Sequence, residues 1–445
     1  MNLANTNKTK KWLTLPSTLL LALNSSFLTA SEDNDLFSLS LEQLLNVEVS
    51  SASLTKETLS EAPVPVTVIT ANMISQSGAR NIKDLLVTYV PNITHVEDQN
   101  EPNIAARGVF TSSQQKILFL IDGHRLNSRS YSMASPDYAI SLDKIKQIEV
   151  LRGPSSSIYG NVALTATVNI ILKSAAELEN SKLAVTIGDQ GHKQASLTYG
   201  KHGDSWDLLA WAQVFSAEGE THAISPQDNY SPNPIVDAEA NLGAYQDTNT
   251  YDIGAKLNYQ DWRIFTNTRR SHYVEPFTTG GLSGEGYVYD KIRKYQGTGP
   301  GFSYTASHFN VNHSDTLFDW QWHQELYFDQ NEVDTVVVTQ PTTNNALRVY
   351  WQERSSGLLT HLSKRIGKWD YLVGLQLDHM KVTDSDFKAS LNGDDYLPAD
   401  QQTPLLKESS ESIYSVFAQV KYRLSERWLA NAGARYDQKN RTGSD

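Results

Sequence analysis

The side chains best equipped for chemistry in this chain are its eleven histidines and its charged residues beside glycine, and neither set falls into a catalytic spacing. No His-Glu-x-x-His motif occurs, and His308 and His313, five apart, would face opposite sides of a strand. A Gly-x-Ser-x-Gly elbow, a Walker phosphate loop and a dinucleotide fingerprint are also missing. The lack of cysteine removes disulfides, thiolate metal sites, a cysteine nucleophile and an acylated lipoprotein cysteine. The expectation is a protein that is not an enzyme, needs no cofactor and has no metal ligands of its own, so that any metal would arrive inside a ligand. Two pairs, Arg107-Gly108 and Arg152-Gly153, with Glu149 near the second, offer other chemistry: a guanidinium makes paired hydrogen bonds to a carboxylate of a neighbouring element. Asp122-Gly123 reads as a tight turn.

The elements that would position these residues divide the 445-residue chain in two. Residues 31–180 hold seven aromatics in 150 positions, whereas residues 181–445 hold thirty-four in 265, too large a step for one uniform fold. In the second part, Tyr251, Ile253, Ala255, Leu257 and Tyr259 alternate with Asp252, Gly254, Lys256 and Asn258, a strand period of two. About eleven such segments follow one another, near 182–189, 193–200, 205–216, 250–259, 262–271, 302–313, 317–329, 346–364, 369–381, 411–423 and 427–437. Most approach the ~10 residues that a tilted strand needs to cross a bilayer. Tight turns are expected at Lys201 to Asp204, Gln260-Asp261, Ser314 to Thr316, Arg365 to Lys368 and Leu424 to Arg427. Long polar excursions near 217–249, 272–301, 330–345 and 382–410 separate them. Short turns on one rim, long loops on the other and abundant aromatics describe an outer-membrane barrel. The mean hydropathy of −0.43 suits strands that alternate apolar and polar residues, and excludes a bundle of membrane helices.

The first part has another grammar. Lys8, Lys10 and Lys11, the apolar stretch from Trp12 to Leu23 and the small-residue site at Leu28-Thr29-Ala30 read as a signal peptide over residues 1–30. Net charge is −12, and removing those three lysines takes it to −15, which argues against nucleic acid as a partner. Val64 to Thr70 reads as a short strand, Met73 to Val90 as helix broken by Gly78, and Lys116–Ile121 and Ile145–Leu151 as further strands. A compact α/β unit of this size before a large barrel suggests a plug filling the lumen.

Four ordered blocks then carry a resemblance. Ile145 to Gly160 (IKQIEVLRGPSSSIYG) with Val168-Asn-Ile-Ile171, Ala106-Arg107-Gly108, Leu120-Ile-Asp-Gly123 and Pro63 to Thr70 resemble the plug domain of TonB-dependent outer-membrane receptors. The resemblance covers residues 45–180 closely and the barrel by pattern alone, and Leu164-Thr-Ala-Thr167 stands where that family carries glycines. It implies a periplasmic segment at 31–58, a plug at 59–175 and a barrel from 180 to 445 in the bacterial outer membrane, with lipid around it. It implies energy-coupled uptake of a scarce ligand, with a ferric siderophore first and cobalamin, haem or an oligosaccharide as alternatives. It further implies that the partner protein TonB captures a box at Val47, Glu48, Val49, Ser50, Ser51 and Ala52, an added strand held by main-chain hydrogen bonds. Arg107, Gly108, Glu149, Arg152 and Gly153 would lock the plug to the wall. Arg129, Tyr131 and Tyr138, in a loop turned outward, would touch ligand, with Tyr273 and Phe277, or Tyr287 and Tyr289, as an aromatic site for an iron chelate. Plugged transporters have about 22 strands, so eleven imply an antiparallel transmembrane β-barrel truncated at about half its strands, hence a fragment or a truncated gene product. The rival from another class is a secreted, aromatic-rich glycan-binding or glycan-degrading β-protein.

Overall fold

Along the long strands of the second half, apolar side chains point outward and polar ones inward, the reverse of a soluble sheet. On one strand Leu326 and Phe328 are 59% and 47% exposed, while Glu325, Tyr327 and Asp329 between and beside them are buried. Water cannot be the solvent for the outer face; a bilayer can. This arrangement comes from a computed structural model, which describes residues 48–442 apart from 50–53, 56, 63, 99, 179, 226–237, 279–285, 293–298, 341–342, 344, 392–394, 399–400, 402–407 and 426–427. The signal segment 1–30 and box residues Val47, Ser50, Ser51 and Ala52 lie outside the described residues.

An N-terminal hairpin pairs β1 (Glu48–Val49) with β2 (Glu57–Thr58). The plug follows with β3 (Val66–Thr70), β4 (Ile93–Asp98), β5 (Glu101–Ala106), β6 (Ile117–Ile121), β7 (His124–Arg125), β8 (Ile145–Leu151) and β9 (Ala166–Leu172). Its main sheet runs β3-β8-β9-β6-β7, with β6 and β9 parallel. All five residues of β6 are buried, as expected of a strand covered on both faces. Two helices, Ala71–Gln76 and Ile82–Tyr89, start where the Thr70 and Asn81 side chains accept from the amides of Met73 and Asp84. Gly78, at φ +68°, makes the break between them that the sequence placed there. Ile69, Leu85, Phe119, Ile148 and Val168 form the plug core, which continues into Trp211 and Phe265 of the wall.

The wall has β10 (Lys182–Ile187), β11 (Lys193–His202) and β12 (Trp206–Ala217), then an outlying hairpin of β13 (Glu220–Ala223) and β14 (Glu239–Leu242). It resumes with β15 (Tyr245–Tyr259), β16 (Trp262–Tyr273), β17 (Gly301–Leu317), β18 (Trp320–Gln340), β19 (Asn345–Ile366), β20 (Trp369–Ser390), β21 (Ser410–Ser425) and β22 (Trp428–Thr442). Eleven of these, β10 to β12 and β15 to β22, form one antiparallel sheet in sequence order, and it does not close: among the described residues β10 and β22 are not paired with each other. Exposed Tyr259, Trp262, Trp369 and Trp428 sit beside the short turns, the positions of an interfacial aromatic girdle.

Three expected segments change their bounds. The turn expected at Ser314 to Thr316 lies instead at Phe318-Asp319, both residues at positive φ (49° and 63°), because pairing continues through Leu317 opposite Trp320. Two residues in that conformation make the tight turn that suits strand twist. The excursions at 330–345 and 382–410 are in large part strand, since β18 runs to Gln340 and β20 to Ser390.

Candidate functional site

The plug meets the wall through a buried polar seam, built because inward positions of a barrel strand alternate with lipid-facing ones and the plug must answer each with a partner. Lys144 and Asp252, both fully buried, pair at 2.5 Å. The Asp252 carboxylate also accepts from the Ser141 amide at 2.7 Å and from Trp211 Nε1 and Asn267 Nδ2 at 2.8 Å each. Burial pushes the Lys144 ammonium down, and Asp252 resists. Asp122, in the Asp-Gly turn the sequence marked, pairs with Lys256 at 3.1 Å, and its carbonyl accepts from Arg263. Asn100 bonds the carbonyls of Asn241 and Val274, and Gln213 the carbonyl of Tyr138.

Further along the seam, His124 of β7 stands between two wall carboxylates, with Nδ1 2.6 Å from Glu325 and Nε2 2.9 Å from Asp329. Burial lowers its pKa, but Asp329 and Glu325 outweigh that and hold it up at about 9. His308 Nδ1 lies 2.9 Å from the same Asp329 oxygen. No spacing in the chain marks this group, which three separate strands assemble.

Above the seam, plug loops and wall strands enclose a pocket lined by Asp98, Glu101, Tyr131, Tyr273, Glu275, Phe302 and Trp351. Burial, reinforced by Glu101 and Asp98, pushes the Glu275 carboxyl up to about 8. Its Oε2 is buried without a hydrogen-bond partner. Tyr131 stands edge-on to Trp351 at 5.8 Å, and Tyr273 stacks on Phe302 at 5.4 Å. The pocket therefore offers aromatic faces and hydrogen-bonding acid groups, and no basic side chain among its described lining.

Of the three expected ligand contacts, only Tyr131, 42% exposed, lines this pocket. Arg129 turns to the wall, 3.3 Å from Asp378 and over the Tyr327 ring, while its amide donates to Glu353. Tyr138 stacks on Phe215 at 3.7 Å with His192 and Tyr245 at its edges, a packing position. Tyr287 and Tyr289 pack with Val274 and Val338 as a small core beneath the loops, so they present no open aromatic surface. The locking residues are placed differently from expectation. Arg107-Gly108 is an exposed turn, both residues at positive φ, and Arg107 and Arg152 line one shallow depression with Gly153. Among the described residues neither arginine pairs with a wall carboxylate, and Arg152 Nε has no hydrogen-bond partner. Glu149 is buried and accepts from Gln147, inside the plug.

The described part of the box, Glu48-Val49, is folded back on Glu57-Thr58, and Val49 is buried. Three ionic contacts clasp this segment to the wall: buried Glu57 with Lys421, and Glu61 with both Arg423 and Arg365.

Comparison with known proteins agrees with this architecture. Residues 58–167 match the model of the TonB-dependent Receptor Plug Domain. The vitamin B12 transporter BtuB of Vibrio vulnificus is 22% identical over 266 residues, 58% of this chain and 38% of that protein. Transferrin-binding protein A of Haemophilus influenzae is 28% identical over 196 residues, 40% of this chain and 21% of that protein. The pyoverdine outer membrane receptor FpvA from Pseudomonas aeruginosa, bound to pyoverdine, superposes with a TM-score of 0.64 at 15% identity over 89% of this chain and 60% of that one. The chain thus spans less than two thirds of the length of each of these proteins, from about a fifth to 60%.

Proposed function

Since the chain carries the plug of a TonB-dependent receptor and the wall of an outer-membrane barrel, we propose that it serves energy-coupled import of a scarce chelated nutrient, a ferric siderophore, across the outer membrane. The observation that carries this reading is a plug seated in the lumen by buried, mutually satisfied polar pairs, with a pocket above it where plug and wall side chains converge. In a closed barrel, a plug held in that way would block diffusion and open only under work. The periplasmic partner TonB would supply the work by capturing residues 47–52 as an added strand, after peeling the two-residue β1/β2 pairing.

Pocket chemistry supports one ligand class within the siderophores. Carboxyl groups at Glu101 and Glu275, with no cation among the described lining, suit a neutral or amine-bearing hydroxamate chelate, and a multiply anionic catecholate would leave its charge unpaired there. Tyr131 and Trp351 supply flat apolar contact to the chelate rim. Cobalamin is the second reading, favoured by the likeness to a vitamin B12 transporter. The test is equilibrium binding to the detergent-solubilised full chain of neutral and cationic ferric hydroxamates, a ferric catecholate, cyanocobalamin and haemin. Tight binding of a hydroxamate that Tyr131→Ala weakens about tenfold is expected. Preference for the catecholate or for cyanocobalamin would overturn the ligand assignment.

A further inference from the structure

The His124 cluster has a geometry that neither sealing nor ligand capture requires. His308 of β17 lies directly opposite Asp329 of β18 in the strand register, and Asn310 opposite Tyr327, so these side chains share one patch of the inner wall. His124 is lowered onto that patch from the plug, its ring 5.3 Å from that of His308 and 5.6 Å from that of Tyr327. One ligand atom each from His124, His308 and Asp329 lies within 4.8 Å of the others, and all three residues are buried. We propose that this His2Asp cluster binds a first-row divalent transition ion, of the zinc or cobalt class, as a staple between plug and wall.

Three features favour an ion over a mere buried salt bridge. The donor set is two imidazoles and a carboxylate, which suits zinc-like ions and leaves one position open. Bonds of about 2.0–2.1 Å put ligand atoms roughly 3.3 Å apart in a tetrahedral site, so the two contacts at 2.9 Å need open by only a few tenths of an ångström. Second, Glu325 takes the other nitrogen of His124 at 2.6 Å. That is the carboxylate-histidine arrangement that fixes a ligating tautomer, with Nδ1–H donating outward and the Nε2 lone pair directed at the ion. Third, polar atoms of the same patch are buried without partners: the Tyr327 hydroxyl and Nδ2 of Asn310. Buried polar atoms left in one place are uncommon unless an ion or water organises them.

The charges agree. Glu325 and Asp329 bring two negative charges, and neutral imidazoles leave them uncompensated within the cluster; a divalent ion neutralises them, whereas a proton on His124 neutralises one. The arginines around the patch have their hydrogen bonds elsewhere, Arg129 with Asp378, Arg263 with the carbonyl of Asp122, Arg125 with the carbonyls of Asn127 and Ser128, and Arg269 with that of Leu126. Binding exchanges the ion for the His124 proton, with no change of oxidation state.

Cobalt(II) is the probe. The full chain in detergent, stripped with chelator and dialysed, is titrated with Co2+ and followed by its visible d–d bands. One equivalent bound with tetrahedral bands is expected, lost in His308→Asn and Asp329→Asn and weakened about 10- to 100-fold in Glu325→Gln, which only positions a ligand. His222→Ala, at an exposed histidine, should bind as the parent does. Absence of stoichiometric binding in the parent, or binding that survives His308→Asn and Asp329→Asn, overturns the proposal. Should those variants fail to fold, X-ray absorption at the cobalt edge of the parent decides: two imidazoles with a carboxylate oxygen sustain it, and a shell without imidazole refutes it. None of this depends on which nutrient the pocket takes.

Discussion

Replacing Asp252 by alanine isolates the deepest point of the seam. Four donors converge on that carboxylate, two from the plug (the Lys144 ammonium and the Ser141 amide) and two from the wall (Trp211 Nε1 and Asn267 Nδ2). Lys144 would keep only its position over the Trp211 ring, 4.3 Å from the centroid. Stranding a buried charge costs about 3–5 kcal/mol, and each neutral donor left without an acceptor about 1–3 kcal/mol. Partial relaxation keeps these from adding, so unseating of the plug should become easier by about 5 kcal/mol. Lys144→Met in the same background removes the stranded charge and should return about half of that. The assay exploits the absence of cysteine: Ser135→Cys, buried in the plug, reacts with a thiol reagent only when the plug opens, and its labelling rate against urea gives the local opening free energy. The pH dependence has a definite sign. A lysine whose folded pKa is depressed binds fewer protons folded than unfolded, so stability rises with pH toward the unfolded value of 10.5. The alanine variant, its lysine depressed further, should therefore lose less at pH 9 than at pH 7. A loss under about 1 kcal/mol, or a double variant no better than the single one, would refute the claim that this pair seats the plug.

Three further outcomes follow from the same contacts. Lys421→Ala takes the ammonium away from buried Glu57 and should loosen the N-terminal hairpin by about 1–3 kcal/mol, read as faster protease cleavage before residue 60, whereas half-exposed Arg423→Ala should change it by under about 1 kcal/mol. Glu61 is held below its ordinary 4.5: burial opposes, and Arg423, the Thr58 amide and Arg365 outweigh it. The clasp is thus fully present above pH 4.5 and lost as pH falls through the lowered value, so cleavage of the hairpin should quicken in acid and do so less in Glu61→Gln. Trp351→Ala removes the ring against which Tyr131 stands and should weaken ligand binding about tenfold without moving the labelling rate of the seam.

The architecture was legible where a local rule governs it. Alternation at Tyr251 to Tyr259 announced a strand, loop asymmetry announced two rims, and Gly78 announced the helix break. The misplaced turn at Ser314 to Thr316 shows the limit: polar residues mark a turn only if pairing ends there, and the pairing of Leu317 with Trp320 was invisible until both strands were in register. The site was less legible for a related reason. Glu325 and Asp329 fall on one face of their strand by spacing alone, but nothing local says that His124, some two hundred residues earlier, descends onto them. Arg129 misled because an arginine in a polar loop reads as exposed, while Asp378, far along the chain, turns it inward.

If TonB opens the plug by pulling on the hairpin at Val49, as proposed, uptake reports it. Cells expressing the chain, with and without TonB, are supplied with a radio-iron hydroxamate chelate. Iron entry that needs TonB and is abolished by Val49→Pro, which removes a main-chain donor from the added strand, is the result this account predicts. Entry that continues without TonB, or that Val49→Pro leaves unchanged, would contradict it.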